Sequence, residues 1–329
     1  STTPSTASAN WYRSYRTNVT VYRPTSASAA SSITVYRNSY YGTATKYTTV
    51  IATGNTGTSN MTSVSGLWSG VTFVGYATSS GTKTVGSGLT SIASIATQTG
   101  TKYYVIGTYT TSVTATFYYY NGSAQTSTTA NGTQTRNVWC SSDSAASTDV
   151  KSNGNITVPT AVTGSTGTHG EAYKGVATAV SSTTAATPTT ANTTYYAFYN
   201  GDKNETVTAT FYYSKSSDGT KGSVTGTGTQ VRTYTSTTNG TTYTTTGNTV
   251  KSEGNITVPT LTGEVAPYST TAVGWSTGAS TIGSTTPTTA NTSWYRSYRT
   301  NVTVYRPTSA RAASSITVYR NSYYGTATK

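Results

Sequence analysis

Apolar and polar residues alternate along Val113-Thr114-Ala115-Thr116-Phe117-Tyr118, with Val113, Ala115 and Phe117 on one face and Thr114, Thr116 and Tyr118 on the other. Period two with one apolar face predicts a half-buried β-strand. The pattern stands also at Val19-Thr20-Val21-Tyr22, Val207-Thr208-Ala209-Thr210-Phe211-Tyr212 and Val302-Thr303-Val304-Tyr305. Ile33-Thr34-Val35-Tyr36 and Val231-Arg232-Thr233-Tyr234 read as hairpin partners, and Asn121-Gly122 as a turn. Further along, Asn155-Ile156-Thr157-Val158-Pro159 and Asn255-Ile256-Thr257-Val258-Pro259 predict a strand that the proline closes or marks as an edge. An aromatic–glycine segment follows, as Val71–Thr78, Tyr173–Thr178 and Ala272–Thr277. Leu89, Ile92 and Ile95, spaced by three, predict a short helical turn. A Pro-Thr-Thr-Ala-Asn-Thr run then leads to a closing strand, as in Thr194-Tyr195-Tyr196-Ala197-Phe198-Tyr199. Phe117, Phe211, Val74, Trp275 and Ile256 are the expected core.

These elements recur. The opening strand begins at Val19, Val113, Val207 and Val302, steps of 94, 94 and 95 residues. At a coarser grain, residues 11–46 and 294–329 are identical except that Ser28 becomes Arg311, an offset of 283. Self-similarity at fixed spacing is read as a repeat architecture before anything else. The chain is therefore expected to be mainly β, a tandem array of three small β-sheet modules of about 94 residues. The boundaries read as 17–106, 107–200 and 201–299, with 1–16 the closing strand of a preceding module and 300–329 the start of a next one. No Gly/Ser linker separates closing from opening strands, which predicts a stiff rod.

Composition supports the β reading. Thr and Tyr, which favour strands, are abundant, while Leu and Met are almost absent. The formal net charge of +13 overstates the basicity. Residues 1–46 hold five basic side chains and no acid, and 284–329 hold six and none, so one segment is counted twice. The 237 residues between them hold ten basic and eight acidic groups. The single cysteine, Cys140, allows no disulfide within the chain. A Thr-rich, cysteine-poor repeat suits a bacterial or archaeal exterior, so an extracellular or cell-surface location is expected. No apolar run reaches the length of a membrane helix.

The order Val113–Tyr119, Asn155–Thr160, Phe73–Thr78 and Thr193–Tyr199 resembles the Listeria–Bacteroides repeat, the B-repeat type of internalin-like surface proteins. The family's aromatic–glycine motif corresponds to Thr72-Phe73-Val74-Gly75-Tyr76 and Val273-Gly274-Trp275, and its closing motif to Thr194–Tyr199. The resemblance implies small β-grasp-like modules in extracellular, often adhesive, bacterial proteins. The middle repeat departs from it, with Lys174-Gly175-Val176 where the motif has its aromatic residue.

Candidate chemistry is sparse. His169 is the only histidine and has no nucleophile context, so it reads as a loop residue. Asp202-Lys203-Asn204-Glu205 lacks the ordered ligand spacing of a calcium loop. Cys140 follows Trp139 on an expected strand and reads as a packed thiol. Neither enzyme activity nor a cofactor or metal is expected. The one surface with the look of a partner site is the Tyr–Arg hairpin: Trp11, Tyr12, Arg13, Tyr15, Arg16, Tyr22, Arg23, Tyr36 and Arg37. Aromatic faces and guanidinium groups stack on each other and on sugars, and guanidinium pairs with phosphate or carboxylate. The leading expectation is a structural and adhesive fibre or surface stalk whose partner is itself, head to tail and laterally. Its alternatives are a multivalent array binding glycan, cell-wall polymer or a host surface, and a phage fibre. No nucleic-acid-binding motif is present.

Overall fold

The computed structural model describes all residues except 1, 9, 42–46, 55–60, 62, 219 and 324–329. Strand makes up 56% of the chain and helix 4%, so the protein is mainly β, with open mixed sheet as its main feature. Among the described residues fourteen strands run in chain order: β1 (Tyr15–Pro24), β2 (Ala30–Tyr40), β3 (Thr48–Ala52), β4 (Thr72–Ala77), β5 (Lys102–Tyr120), β6 (Gln125–Cys140), β7 (Ala146–Ser152), β8 (Ala172–Ala177), β9 (Thr194–Ser214), β10 (Lys221–Thr238), β11 (Tyr243–Ser252), β12 (Thr271–Ser276), β13 (Ser293–Ser309) and β14 (Ala312–Tyr323). The chain divides into two compact units, and the middle sequence repeat is shared between them. The first holds residues 1–117, 128–159 and 187–195, the second 118–127, 160–186 and 196–329.

In the first unit β1 and β2 form an antiparallel hairpin from Tyr15↔Ser39 to Pro24↔Ala30, and β3 adds to the free edge of β2. The first half of β5 then lies parallel to β1, Thr20 facing Lys102 and Tyr22 facing Tyr104. Its other edge carries β4, antiparallel. Beneath this sheet Val19, Val21, Val35, Ile51, Tyr76 and Tyr103 pack on Leu89, Ile92 and Ile95. The predicted helical turn is present as a 3-10 helix over Ala93–Thr97, placed so that the three aliphatic side chains close the core.

The second unit repeats the arrangement. β9 and β10 form a long antiparallel hairpin, β11 adds to β10, and the first half of β13 lies parallel to β9, Thr210 facing Ser293 and Tyr212 facing Tyr295. β12 pairs with the other edge of β13, and β14 returns along it. Ala209, Phe211, Ile256, Trp275 and Trp294 form the core. β8 pairs with β9 as β4 does with β5.

The parallel contact between opening and closing strands is the recurrent joint. Thr20 N donates to Thr101 O at 2.7 Å, Thr116 N to Thr193 O at 2.9 Å and Thr210 N to Thr292 O at 2.9 Å. Each joint carries a stacked tyrosine pair: Tyr22 on Tyr104, Tyr118 on Tyr196 and Tyr212 on Tyr295, with ring centroids 4.9, 5.6 and 5.1 Å apart. β5, β9 and β13 each carry a closing half and an opening half in one uninterrupted strand.

Two expectations are corrected. The Asn-Ile-Thr-Val-Pro run forms no strand. It makes isolated bridges at Asn155↔Thr189 and Asn255↔Thr288, and a four-residue helical turn, Thr160–Thr163, follows it in the middle repeat. Gly154 and Gly254 pass so close to the neighbouring chain that a Cβ would lie 2.1 Å from Thr133 O and 2.0 Å from Thr229 O, which leaves no room for regular pleated pairing. Val74, placed in the core by its motif, is exposed. The register slips between Phe73 and Gly75, and the same slip recurs at Tyr173/Gly175 and Ala272/Gly274. A bulge sets two residues against one on the partner strand, so the extra side chain turns outward. Val74, Lys174 and Val273 all occupy that outward place, whereas Tyr76, Val176 and Trp275 take the buried one. Lys174 is thus accommodated as the bulge residue, and Val176 replaces the motif's aromatic side chain.

Candidate functional site

The Tyr–Arg hairpin separates into an exposed end and an inward-turned end. At the exposed end Trp11 donates from Nε1 to Ser8 O at 3.1 Å. Tyr12 stacks on Tyr41 with centroids 5.0 Å apart, and the Arg13 guanidinium lies 5.5 Å from the Tyr15 ring centroid. Tyr15 meets Tyr47 edge to face. Arg16 donates from Nε to Asn38 Oδ1 at 2.9 Å while its guanidinium covers the Tyr36 ring at 4.7 Å.

The rest of the hairpin is committed to its own fold. Tyr22 stacks on Tyr104, and Lys102 Nζ lies 5.4 Å from its ring centroid. Arg23 donates from Nε to Gly66 O at 2.9 Å. Arg37 donates from Nη2 to Ile95 O (2.8 Å) and Gly100 O (3.0 Å). Backbone carbonyls thus receive the guanidinium hydrogens that carboxylates would take elsewhere, consistent with the absence of any acid before Asp143.

The second copy of this segment shows the opposite exposure. Trp11 and Tyr15 are 43% and 49% exposed, but the identical Trp294 and Tyr298 are each 1% exposed. Val21 and Val35 are wholly buried, whereas Val304 and Val318 are 41% and 39% exposed. Each half of the 36-residue segment is therefore packed in one of its two copies.

The acidic residues take structural places that their sequence positions do not reveal. Glu171 is buried; its Oε1 accepts from Ser236 Oγ (2.6 Å) and Tyr243 Oη (3.2 Å), and its Oε2 from His169 N (2.7 Å). Burial pushes this carboxyl upward, but the hydrogen bonds from Ser236, from backbone N–H groups and from His169 together hold it below its ordinary range. His169 stacks on Tyr234 at 4.0 Å. Because the Ser236 hydroxyl donates to the carboxylate and is buried, the trio braces a loop and presents no nucleophile relay. Tyr199 Oη accepts from Tyr120 N at 2.9 Å and meets Ser165 Oγ at 2.9 Å. Its counterpart Tyr298 Oη accepts from Ser214 N at 3.0 Å and donates to Glu264 Oε1 at 3.2 Å, and Arg296 Nε also reaches that oxygen at 2.9 Å. Burial is the main cause that pushes the Tyr298 phenol up to about 12. Asp202, the start of the weighed calcium sequence, pairs with Lys251 and accepts from Thr233 Oγ1. Among the described residues no cluster of three or more His, Cys, Asp or Glu is arranged to hold a metal. Buried Cys140 has its thiol pushed up to about 12 by burial.

The tyrosine stacks had a signal readable in part: Tyr118 and Tyr212 each follow the first valine of their opening strand by five residues and Tyr104, Tyr196 and Tyr295 recur at one position of the closing strand, but Tyr22 follows Val19 by three, so the structural register is shifted there from the sequence spacing. Comparison with protein-family models, curated proteins and solved structures finds no match.

Proposed function

We propose that this chain is a structural, adhesive element of an extracellular fibre or surface stalk, an array of β-grasp-like modules that carries tension along its length. The observation that supports this reading is the parallel pairing of opening and closing strands at β1/β5 and β9/β13. Tension enters such a module at the start of its opening strand and leaves at the end of its closing strand. Neighbouring parallel strands pulled from opposite ends are sheared, so their hydrogen bonds are loaded together rather than unzipped one by one. The strand that closes one module continues directly as the opening strand of the next, with no slack between them.

A glycan- or polymer-binding reading of the Tyr–Arg hairpin draws on the exposed Trp11, Tyr12 and Tyr15. It is the weaker reading, because the identical Trp294 and Tyr298 are buried.

Single-molecule force spectroscopy of the chain held at its two ends tests the proposal. The expected trace has separate peaks, each releasing a contour length on the order of 300 Å, from about 90 residues at roughly 3.5 Å each. Thr210→Pro, which removes the N–H that bonds Thr292 O, should lower the force of one peak and leave the others. A plateau at low force with no such peaks would overturn the reading.

A further inference from the structure

A polar cluster stands in the same place in the middle and third repeats, and the two copies differ at one residue. In the third repeat Gln230 on β10 and Thr289, just ahead of β13, are each 4% exposed. Glu253 reaches both from the chain that follows β11. Its Oε2 accepts from Gln230 Nε2 at 2.8 Å and from Thr289 Oγ1. Arg232 donates from Nη1 to Gln230 Oε1 at 2.8 Å, which fixes the end of the amide that is oxygen. Gly254 N donates to Thr289 Oγ1 at 3.0 Å, and Thr289 N to Gly254 O at 2.8 Å. A Cβ on Gly254 would lie 2.0 Å from Thr229 O, so glycine is what lets this segment come down beside Gln230. Hydrogen bonds from Thr289 and Gln230 hold the Glu253 carboxyl below its ordinary range, so it is ionised at neutral pH. In the middle repeat the set is Gln134, Arg136, Asn153 and Thr190. Arg136 Nη1 donates to Gln134 Oε1 at 2.9 Å, Gln134 Nε2 to Asn153 Oδ1 at 2.9 Å, and Thr190 Oγ1 to the same Oδ1 at 3.2 Å. There the shared acceptor is an amide oxygen, which does not take up a proton at neutral pH.

We propose that the third repeat forms an internal ester between Thr289 Oγ1 and Gln230 Cδ, and that the middle repeat does not. The third repeat assembles the parts of an acyl transfer: a hydroxyl nucleophile on a carboxylate base, and an amide whose oxygen already receives a guanidinium hydrogen. Glu253 Oε2 takes the Thr289 hydroxyl proton as Oγ1 bonds to Gln230 Cδ. Negative charge develops on Gln230 Oε1, where Arg232 donates. The Cδ–Nε2 bond then breaks, Nε2 takes the proton from Glu253, and ammonia leaves past the exposed Glu253. The step balances without a co-reactant, since a primary amide and an alcohol give an ester and ammonia. Burial of Gln230 and Thr289 keeps water from the ester. The bond ties β10 to the entry of β13 and withholds residues 231–288 from extension, which would shorten one peak of the force trace. The inference does not rest on the fibre reading, because it concerns bond formation within one repeat.

The test is the intact mass of the folded full-length chain, measured in denaturant and followed by tryptic mapping. The expected mass is the sequence mass less one ammonia, with a branched peptide joining 222–232 to 252–296. Peptides 103–136 and 175–203, which hold Gln134 and Thr190, should remain separate. Thr289→Val and Glu253→Gln should each show their full calculated mass, while Thr289→Ser, which keeps the hydroxyl, should keep the link. Asn153→Glu, which gives the middle repeat the carboxylate it lacks, should add a second loss of ammonia and join 103–136 to 175–203. Mapping separates the ester from a succinimide at an Asn–Gly step, which also loses ammonia but leaves the peptides unjoined. Absence of the branched peptide from the wild-type chain, or its persistence in Thr289→Val or at undiminished yield in Glu253→Gln, would overturn the proposal. Such a result would leave the force measurement standing, since the Thr210–Thr292 hydrogen bond uses none of these side chains.

Discussion

Replacing Tyr298 by Phe should produce a stability loss that vanishes in alkali. The side chain is buried, its oxygen accepts from Ser214 N and its hydroxyl donates to Glu264. Phe fills the same ring volume but leaves the Ser214 N–H without its acceptor, at about 1–3 kcal/mol for a buried donor. Glu264 keeps Arg296, so its loss is smaller. A deficit of about 2 kcal/mol near neutral pH is expected. The phenol's pKa rises from 10.0 to about 12 on folding, mainly through burial. A raised pKa means that the folded state favours the neutral form. That contribution is complete below about pH 10 and is lost as pH climbs toward about 12. Two pH units correspond to about 3 kcal/mol. Phe has no proton to lose, and the other raised tyrosines, Tyr199 and Tyr243 among them, are common to both proteins and cancel in the difference. The wild-type advantage should therefore shrink through zero between about pH 10 and 12. Urea unfolding at a series of pH values, followed by the fluorescence of the buried Trp275 and Trp294, measures it. A gap that stays constant across this range, or no gap at neutral pH, would refute the reasoning.

Phe211→Ala should cost about 3–5 kcal/mol, since the ring is fully buried and packs edge-on against Trp275 at 4.8 Å; a near-neutral melting temperature would contradict that packing. Gly154→Ala and Gly254→Ala should each destabilise by more than about 2 kcal/mol, because the added Cβ meets a backbone carbonyl, while Gly54→Ala, with open space around it, should be close to neutral in the same thermal melts. Glu171→Gln should flatten the acid limb of stability: the depressed carboxyl stabilises the fold at neutral pH and loses that effect as pH falls through its folded value, so wild type and variant should converge in acid when melting is followed downward from neutral pH.

The strands were legible because period two survives in a chain with few alternative signals. Val19, Val21, Ala115, Phe117, Ala209 and Phe211 are buried as the alternation predicts, and Asn121-Gly122 makes its turn with Gly122 at φ +96°. The third strand of each hairpin sheet, β3, β7 and β11, was not legible. In β11 the sequence reads Tyr-Thr-Thr-Thr-Gly-Asn-Thr-Val-Lys-Ser, with no apolar face to betray it, because it is held by backbone pairing at an edge. Bulges also leave no periodic trace. Only the recurrence of glycine after Val74, Lys174 and Val273 marks the slip that turns those side chains outward. The buried Glu171 and the half-buried Glu264 were unreadable for a different reason. Glu171 and Glu264 stand in polar loops, and their donors Ser236 and Tyr298 come from strands 65 and 34 residues away.

The exposed Tyr–Arg segment shows why a candidate surface cannot be judged from residue type alone. Residues 11–46 span a joint: the first part completes one set of strands and the remainder opens another. Trp294 and Tyr298 are buried because β12 and the end of β9 are beside them, and Val21 and Val35 because Ile51, Tyr76, Leu89 and Ile95 are beneath them. The same consideration applies to any division at the sequence period. Gly107 faces Phe73 and Thr108 faces Thr72, so a cut after residue 106 severs β5 within its pairing to β4. Asn200 likewise faces Ala172, at the end of the pairing between β8 and β9. A fragment that keeps its joints whole must extend past its closing half and begin before its opening half, so neighbouring fragments overlap in sequence. Of the 36-residue segment present twice, the first copy buries Val21 and Val35 and the second Trp294 and Tyr298, each on the half that its surroundings cover.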